Sequence, residues 1–474
     1  MVKTSKVSVV GTLSTGAVGI FIGVFLPWQG ELSVMGHLAL MILLITVGLW
    51  VFKPFGLPFS LSSMFMMAAF IVIGIPMSQV FSGFTSGAIW TLIPALLFGH
   101  VILKTGLGKR IALILLKQFN PSYKNLILIF SIIGIILSVL TPSITVRVSI
   151  LLPIALSCID VCDIKGNSKE GALILLSSLI VAIIPGTGWL TGSLYGPVTL
   201  GMYESVPELK GVITFNSWAM VNLLPALLLT VLVVAGGYFI FKPKSRLNLS
   251  KETFKDKYKA LGGTSLEEKR AVVILVLSFL LFLTGGFGLH QLPGPAIMLG
   301  AVFLLALTGV IKQADVSVGV NWDIVVFMGA AMGLIGIFAE IGVANWMAGI
   351  LIPVLTPISG SPWLFVYGVV LVLFVWRFFD IATLVPTKAI LIPALPLISQ
   401  ELGINPLIWV PIFVMVGNSF FLSYTNGFVL VGQSIVGERG WTNQQVNRFG
   451  LVYGVACLVA IALSIPYWIM MGIL

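Results

Sequence analysis

The stretch "TPSITVRVSILLPIAL", residues 141–156, places Arg147 inside an apolar run that carries proline near both ends. A second stretch, "IATLVPTKAILIPAL" at 381–395, places Lys388 among the same kinds of residue. The two stretches align without gaps at a constant separation of 383 − 143 = 240 positions, about half of the 474 residues. The aligned pairs include Ser143 with Thr383, Ile150 with Ile390, Leu151 with Leu391 and Pro153 with Pro393. This pattern predicts an internal duplication.

The composition is typical of a protein that lies within a lipid bilayer. Hydrophobic residues make up 58% of the sequence, charged residues only 9%, and the mean hydropathy is +1.11. A soluble domain carries about a quarter of charged residues. Apolar runs of the roughly 20 residues that span a bilayer recur along the whole chain. We therefore predict an all-α integral membrane protein with roughly eleven transmembrane helices. The first run lacks a small-residue cleavage site and is interpreted as a retained helix.

The formal net charge of +10 has a topological explanation. Lysine and arginine cluster in short connections, mainly at 104–124 and 242–259. Such loops are cytoplasmic under the positive-inside rule. The pattern predicts a multi-pass protein of the cytoplasmic membrane with a cytoplasmic N-terminus and an extracytoplasmic C-terminus. The charge is then accounted for without nucleic acid, and anionic membrane lipids are the expected basic-loop partners.

A polar stretch from 242 to 271 divides the sequence. We predict a first repeat with N-terminal scaffold helices at 1–241, a cytoplasmic connecting segment at 242–271 and a second repeat at 272–474. Ser265 followed by Glu268 predicts a capping box that opens the next helix. The basic loops of the first half have no equally basic counterpart in the second, which favours inverted repeats.

Each half contains two kinds of helix break. Breaks around Pro142–Thr145 and Asp380–Pro386 separate apolar arms that are short for a bilayer, which predicts two re-entrant hairpins; Pro386 suits the first turn of a helix. Downstream, 184–198 and 418–432 are rich in glycine, serine and threonine and predict two unwound helices. Unwound backbone at membrane depth requires protein or water to satisfy it, so these breaks predict a shared polar cavity.

The hairpin tips predict an anion site. Each tip would point a helix N-terminus, with its free N–H groups and partial positive charge, at the midplane. Arg147 and Lys388 add full charges, which cost about 2.5–3.5 kcal/mol at the bilayer centre unless paired or hydrated. The predicted substrate-binding residues are Ser143, Thr145, Arg147, Thr187, Ser193, Thr383, Thr387, Lys388, Thr425 and Asn426. A structural alternative pairs either cation with Asp380, or neutralises Asp380 by Arg377 on the same helix face.

The sequence gives no reason to predict an enzyme, a metal site or a cofactor. It contains no His-Glu-x-x-His, Gly-x-Ser-x-Gly or Cys-x-x-Cys arrangement. Histidines are scattered without a second ligand at metal spacing. A channel is the other alternative, but two tips that cap one cavity favour gated occlusion over an open pore.

Three segments together resemble the divalent anion:sodium symporter family of di- and tricarboxylate transporters. "TGLGKRIALILL" at 105–116 is similar to that family's Gly-Leu-x-Lys-Arg-Ile-Ala helix, and "TSLEEKRAVVILVL" at 264–277 to its mid-chain return into the membrane. "SITVRVSILLPIAL" at 143–156 resembles its first hairpin motif. The resemblance covers nearly the whole chain. It implies a homodimer, elevator-type alternating access, and carboxylates held between two hairpin tips and two unwound helices.

The departures from the family pattern concern its sodium sites. Where the family has Ser-Asn-Thr twice, this chain has Ser143-Ile144-Thr145 and Thr383-Leu384-Val385, so both asparagines are absent. Fixed cations can supply an anion with the same positive field while repelling a mobile sodium ion. We therefore expect a dicarboxylate exchanger without sodium coupling; the alternative is a sodium-coupled di- or tricarboxylate symporter.

Overall fold

The computed structural model describes residues 6–25, 32–118, 122–243, 247, 249–380, 384–422 and 425–474. Regular secondary structure in these ranges is helical. The helices before the polar segment are α1 (Lys6–Phe25), α2 (Val34–Phe52), α3 (Phe59–Val72), α4 (Met77–Val80), α5 (Gly87–Thr105), α6 (Leu107–Leu116), α7 (Tyr123–Leu140), α8 (Ile144–Val161), α9 (Lys169–Ile183), α10 (Tyr195–Glu204) and α11 (Phe215–Phe241).

The later helices begin with a short polar one in the connecting segment. They are α12 (Lys251–Ala260), α13 (Leu266–Gly286), α14 (Gly294–Leu307), α15 (Gln313–Gly319), α16 (Trp322–Glu340), α17 (Val343–Ser359), α18 (Pro362–Trp376), α19 (Val385–Leu391), α20 (Leu395–Leu402), α21 (Trp409–Gly417), α22 (Gly427–Val436) and α23 (Asn443–Met470).

Helix length and hydropathy identify an integral, multi-pass membrane protein. Within the described ranges, nine helices are long and apolar enough to cross a bilayer, and several further apolar helices are shorter. The number differs from the expected eleven because apolar segments such as α17 and α18 form helices of only 17 and 15 residues.

The centre of the fold is α9. The apolar stretch 169–188 is entirely buried over its most hydrophobic window, and α9 packs against α7, α8 and α11. A helix that is apolar on every face must be surrounded by other helices rather than exposed on one side. The chain therefore interrupts its most buried helix immediately after Ile183, inside the protein.

The first pair of predicted breaks lies where expected. α7 ends at Leu140 and α8 begins at Ile144, with the Ser143 hydroxyl accepting the Val146 N–H at 3.3 Å as an N-cap. Both helices have 18 residues, so each is longer than the short arm expected from the sequence. After α9, a 3₁₀ turn at Pro185–Gly188 precedes α10.

The second pair of breaks follows the same order. α18 ends at Trp376, and α19 begins at Val385 with Pro386 in its first turn, as predicted. A 3₁₀ turn joins α19 directly to α20, so the helical run continues from 385 to 402. α21 ends at Gly417 and α22 begins at Gly427. Four helices thus begin inside the protein, at α8, α10, α19 and α22.

The connecting segment is held onto α6 by a buried arginine. Arg110 Nε donates to Glu268 Oε1 at 2.7 Å, and its Nη atoms donate to the carbonyls of Gly262 and Gly263 at 3.1 and 3.2 Å. The predicted capping box is confirmed: Ser265 N–H donates to Glu268 Oε2 at 2.7 Å, and Glu268 N–H to the Ser265 hydroxyl at 3.1 Å. Glu268 therefore caps α13 and anchors α6 at once.

Candidate functional site

The four interrupted helices start at one cavity of about 440 Å³. Its walls include Ile144 and Thr145 of α8, Tyr195 of α10, Val385 of α19 and Gly427 of α22. The first turn of a helix leaves backbone N–H groups without intrahelical partners and carries roughly half an elementary positive charge. Four such termini around one cavity create an environment that attracts an anion.

Two of the polar side chains in the cavity come from the connection between α7 and α8, here called the first tip; the connection between α18 and α19 is the second tip. Ser143 and Thr145, both predicted substrate ligands, lie in its wall. The opposite wall is aromatic and belongs to α2, α3 and α16. The Trp50 ring meets Phe327 edge-on at 4.8 Å between centroids, and Phe59 stacks on Phe327 at 5.0 Å. The cavity thus has a polar, electropositive side and an apolar side.

Lys53 is the one charged side chain among the described residues that line this cavity. Its Nζ lies 3.7 Å from the centroid of the Phe59 ring, a cation–π contact. Lys53 follows the last residue of α2 in a left-handed conformation with φ 42°, which is uncommon outside glycine. The sequence analysis missed it, because a lysine after an apolar run signals a helix end and not the cavity that this end meets.

Arg147 is fully buried and bound to backbone. Its Nε donates to the Ala182 carbonyl at 2.6 Å, and Nη1 donates to the carbonyls of Thr141 and Gly192 at 2.6 and 2.7 Å. Thr141 belongs to the first tip, whereas Ala182 and Gly192 flank the interruption between α9 and α10. The guanidinium therefore ties the tip to the interrupted helix. Direct anion binding by Arg147 stays a prediction, since the cavity lining does not include this residue.

Arg377 makes the corresponding contacts in the second half. Its Nη1 donates to the Asp380 carbonyl, and Nη2 donates to the carbonyls of Ser419 and Thr425 at 3.1 and 2.6 Å. Ser419 and Thr425 flank the interruption between α21 and α22. By its contacts, Arg377 rather than Lys388 is the counterpart of Arg147. Alignment could not reveal this, because Arg377 precedes its tip and Arg147 follows its own.

Lys388 has a different environment. Its buried Nζ donates to the Thr199 hydroxyl at 3.1 Å and lies 5.3 Å from the centroid of the Tyr195 ring. Lys388 therefore joins the second tip to α10 of the first half.

Asp380 and Thr387 organise the start of α19. Asp380 Oδ2 accepts the Thr387 N–H at 3.3 Å and also the Thr387 hydroxyl. Trp376 Nε1 donates to the Thr387 hydroxyl at 2.9 Å. The Asp380 carboxylate thus acts on the helix N-terminus, while its carbonyl receives Arg377.

The remaining predicted ligands lie in the two helix interruptions. Thr187 donates its hydroxyl to the Ile184 carbonyl at 2.7 Å, and its own carbonyl accepts Trp218 Nε1 at 3.0 Å. Ser193 is fully buried in the same interruption. These contacts fix the local backbone, so Thr187 supports the interruption that Arg147 binds.

Thr425 and Asn426 play a similar local part. Thr425 donates to the Leu422 carbonyl at 2.8 Å, and Asn426 donates from Nδ2 to the Asn418 carbonyl at 2.9 Å. The Asn426 Oδ1 accepts the Phe428 N–H at 2.9 Å and caps α22. Thr383, the remaining predicted ligand, lies outside the described residues. Within the described chain, no three His, Cys, Asp or Glu residues form a group that could hold a metal ion.

A cavity at four helix N-termini, deep in a multi-pass helical protein, defines a membrane carrier for small anions. The family described as the sodium:sulfate symporter transmembrane region matches residues 7–474, and the chain belongs to this family, the divalent anion:sodium symporters. The family assignment makes the protein a transporter.

Two named relatives are each identical to this chain at about a quarter of the aligned positions. The chain is 24% identical over 404 residues to the L-tartrate/succinate antiporter of Escherichia coli (strain K12), covering 83% of this chain and 80% of that protein. It is 25% identical over 372 residues to YflS of Bacillus subtilis (strain 168), named for malate transport, covering 76% and 75%. The crystal structure of the Alcanivorax borkumensis YdaH transporter matches the fold with a TM-score of 0.52 at 13% identity, covering 83% of this chain and 88% of that one.

Proposed function

We propose that the protein is a dicarboxylate exchanger of the cytoplasmic membrane that works without sodium coupling. The names of the relatives, a tartrate/succinate antiporter and a malate transporter, support dicarboxylates as the substrate class. The observation that carries the proposal is the pair of buried guanidinium groups, Arg147 and Arg377. Each donates to backbone carbonyls at a hairpin tip and at the facing helix interruption.

Carbonyl oxygens that converge beside a broken helix are typical ligands for a coupling cation in transporters. Here they accept hydrogen bonds from arginine, and a tethered cation repels a mobile one close by. The guanidinium groups would supply the positive field that sodium otherwise brings. The alternative, sodium-coupled di- or tricarboxylate symport, draws its support from the family description.

The charge balance supports exchange over uniport. Around the two tips, the buried charged side chains of the described chain are Arg147, Arg377, Lys388 and Asp380, three cations less one carboxylate, or net plus two. A dicarboxylate dianion neutralises this charge. An empty carrier would move this uncompensated charge through the bilayer interior, where each charge costs about 2.5–3.5 kcal/mol. The loaded carrier should therefore cross far more readily than the empty one.

We further propose that the chain consists of two inverted repeats, 1–241 and 272–474, joined by the cytoplasmic segment 242–271. The α7–α8 and α18–α20 pairs would be re-entrant hairpins, and α9–α10 and α21–α22 the unwound helices. Two contacts support the duplication. Asp160 at the end of α8 pairs with Arg439 just after α22. The corresponding contact of the other half joins the end of α10 to the region after α20: the Tyr203 hydroxyl donates to the Pro406 carbonyl at 2.9 Å.

We also propose an elevator-type movement in a homodimer with a cytoplasmic N-terminus, and two cavities of the chain support its alternating access. The 440 Å³ cavity meets α10 at Tyr195 and Val198, whereas a second cavity of about 930 Å³ meets α10 at Pro197 and Leu200. The second cavity also lies at the start of α5, whose other end carries the basic loop. α16 meets the smaller cavity at Ile324 and Phe327 near its start, next to α15, whose Asp315 pairs with Lys104 of the basic loop. It meets the larger cavity at Gly336 near its end. The two cavities therefore lie toward opposite ends of α16.

Counterflow in proteoliposomes tests the exchange proposal. Vesicles preloaded with succinate, malate or 2-oxoglutarate and held without a sodium gradient should take up labelled dicarboxylate. Empty vesicles should take up little. Equal uptake into empty vesicles driven by a sodium gradient would favour the symporter instead.

A further inference from the structure

A separate cavity of about 540 Å³ lies beneath the connecting segment, away from the anion site. It is enclosed by the end of α5, by α6, by one face of α8 and by α12. The α8 face comprises Ser149, Ile150, Pro153, Ile154 and Ser157. None of these α8 residues lines the substrate cavity, which meets only the first turn of the same helix.

The roof of this cavity, α12, is held firmly along one edge. Lys117 of the α6 end lies with Nζ 3.6 Å from the centroid of the Tyr258 ring, and Arg110 binds the turn after α12 through the Gly262 and Gly263 carbonyls. At the other edge, Lys257 donates from Nζ to the Ser157 hydroxyl of α8. The cavity is thus a built chamber rather than a gap under a loose loop.

The lining combines an apolar floor with cations. Most of the wall is aliphatic or aromatic, and the two ionisable side chains are Lys109 and Lys257. The hydroxyls of Ser149 and Ser157 are the other polar side-chain groups. No carboxylate occurs among the described lining residues.

We propose that this chamber binds an anionic phospholipid of the surrounding bilayer. A phosphate between Lys109 and Lys257 would meet two ammonium groups and two hydroxyls, while an acyl chain would cover the apolar floor. The chamber lies on the basic-loop side, where a leaflet rich in anionic lipid attracts lysine. A small hydrophilic dianion would pair with the two lysines but would leave the apolar wall in contact with water. The lining therefore favours an amphiphile.

Occupancy would have a structural consequence for the anion site. The lipid would bridge α12, which is fixed to α6, and α8, whose first turn carries Thr145 and Arg147. A bound lipid should therefore stabilise the protein against heat. This inference does not depend on which anion is transported.

The experiment compares the two lysines of the chamber, one on α6 and one on α12, with two exposed lysines of α12. The test variant is Lys109→Gln with Lys257→Gln; the control is Lys255→Gln with Lys259→Gln, whose exposed side chains pair with Glu252 and Asp256. The purified full chain is titrated with phosphatidylglycerol or phosphatidylcholine in mixed micelles. Thermal stability and lipid retention in native mass spectrometry are recorded.

Phosphatidylglycerol should stabilise the wild type and the control, and the test variant should need about 30-fold more of it, since each lysine contributes about a fivefold effect. Lys109→Gln alone, which leaves the Lys257–Ser157 bond intact, should show the fivefold effect. Equal responses of test and control variants, or equal effects of the two lipids on the wild type, would overturn the proposal. Full stabilisation by glycerol 3-phosphate would overturn it in favour of a free phosphate.

Discussion

Removing the Arg147 guanidinium should convert a sodium-independent site into one that responds to sodium. Arg147→Ala withdraws three hydrogen bonds, of 2.6, 2.6 and 2.7 Å, from the carbonyls of Ala182, Thr141 and Gly192. These oxygens then converge on a space with no cation. In transporters, backbone oxygens beside a broken helix coordinate sodium ions.

The magnitude follows from the bonds that are lost. At about 1.5–3 kcal/mol for each hydrogen bond to a charged group, the three are worth about 4.5–9 kcal/mol at most. Removing a buried cation also relieves its desolvation, by several kcal/mol. We expect a net destabilisation of about 2–4 kcal/mol. Sodium at a hundredfold excess over its dissociation constant would return about 2.7 kcal/mol.

The assay measures thermal unfolding and counterflow in sodium chloride and in choline chloride at equal ionic strength. Arg147→Ala should be stabilised by sodium and should recover part of its exchange activity, whereas the wild type should respond to neither salt. Lys388→Ala is the matched control, because Lys388 is equally buried but donates to the Thr199 hydroxyl instead of a carbonyl cluster. Identical curves for Arg147→Ala in the two salts would refute the reasoning.

Three further predictions concern other parts of the structure. Lys53→Gln should raise the KM for a dianion presented from the basic-loop side about fivefold with kcat unchanged, because one cation at the cavity wall is lost. The increase in KM should be smaller at high salt, and an increase that does not depend on salt would contradict this reasoning. Gly186→Ala should abolish counterflow and cost about 1–3 kcal/mol, because an added Cβ would lie 2.2 Å from Arg147 Nη2. Gly300→Ala, where a Cβ meets no atom within 4 Å, should transport normally; equal activity of the two glycine variants would exclude the clash. Burial raises the pKa of Asp315, but hydrogen bonds from two basic side chains of α5 outweigh it and hold the pKa below its usual range. Asp315→Asn should therefore lower stability at neutral pH by about 1–2 kcal/mol, and the difference from wild type in thermal unfolding should begin to shrink as the pH falls below about 4, toward the lowered pKa of the folded state. A difference that stays constant as the pH falls below about 4 would show that the charge is not responsible.

The helix breaks were predictable because their causes are local. Pro142 and Pro386 restrict their own backbone and that of the preceding residue, so the ends of α7 and the start of α19 follow from the sequence. The capping box at Ser265 could be predicted for the same reason, because its two partners are three residues apart in the sequence. The positions where the chain starts new helices inside the protein could therefore be predicted from the sequence.

The partners of the buried cations were not predictable. Arg147 binds carbonyls 35 and 45 positions away, and Arg377 binds carbonyls 42 and 48 positions away. The sequence pairs Arg147 with Lys388 because they occupy similar places in aligned stretches. It suggests that Arg377 neutralises the Asp380 side chain, whereas the guanidinium binds the Asp380 carbonyl.

The amino-acid sequence determined that the protein lies in lipid and spans the membrane. It also determined where the helix breaks occur and that cations lie beside them. These properties depend on hydrophobic length and on the backbone limits of single residues, which each segment carries by itself. The tertiary structure decided which arginines join a tip to an interruption, and that Lys53 meets the cavity. A carbonyl oxygen belongs to every residue alike, so only the packing of distant segments determines which ones converge on a guanidinium.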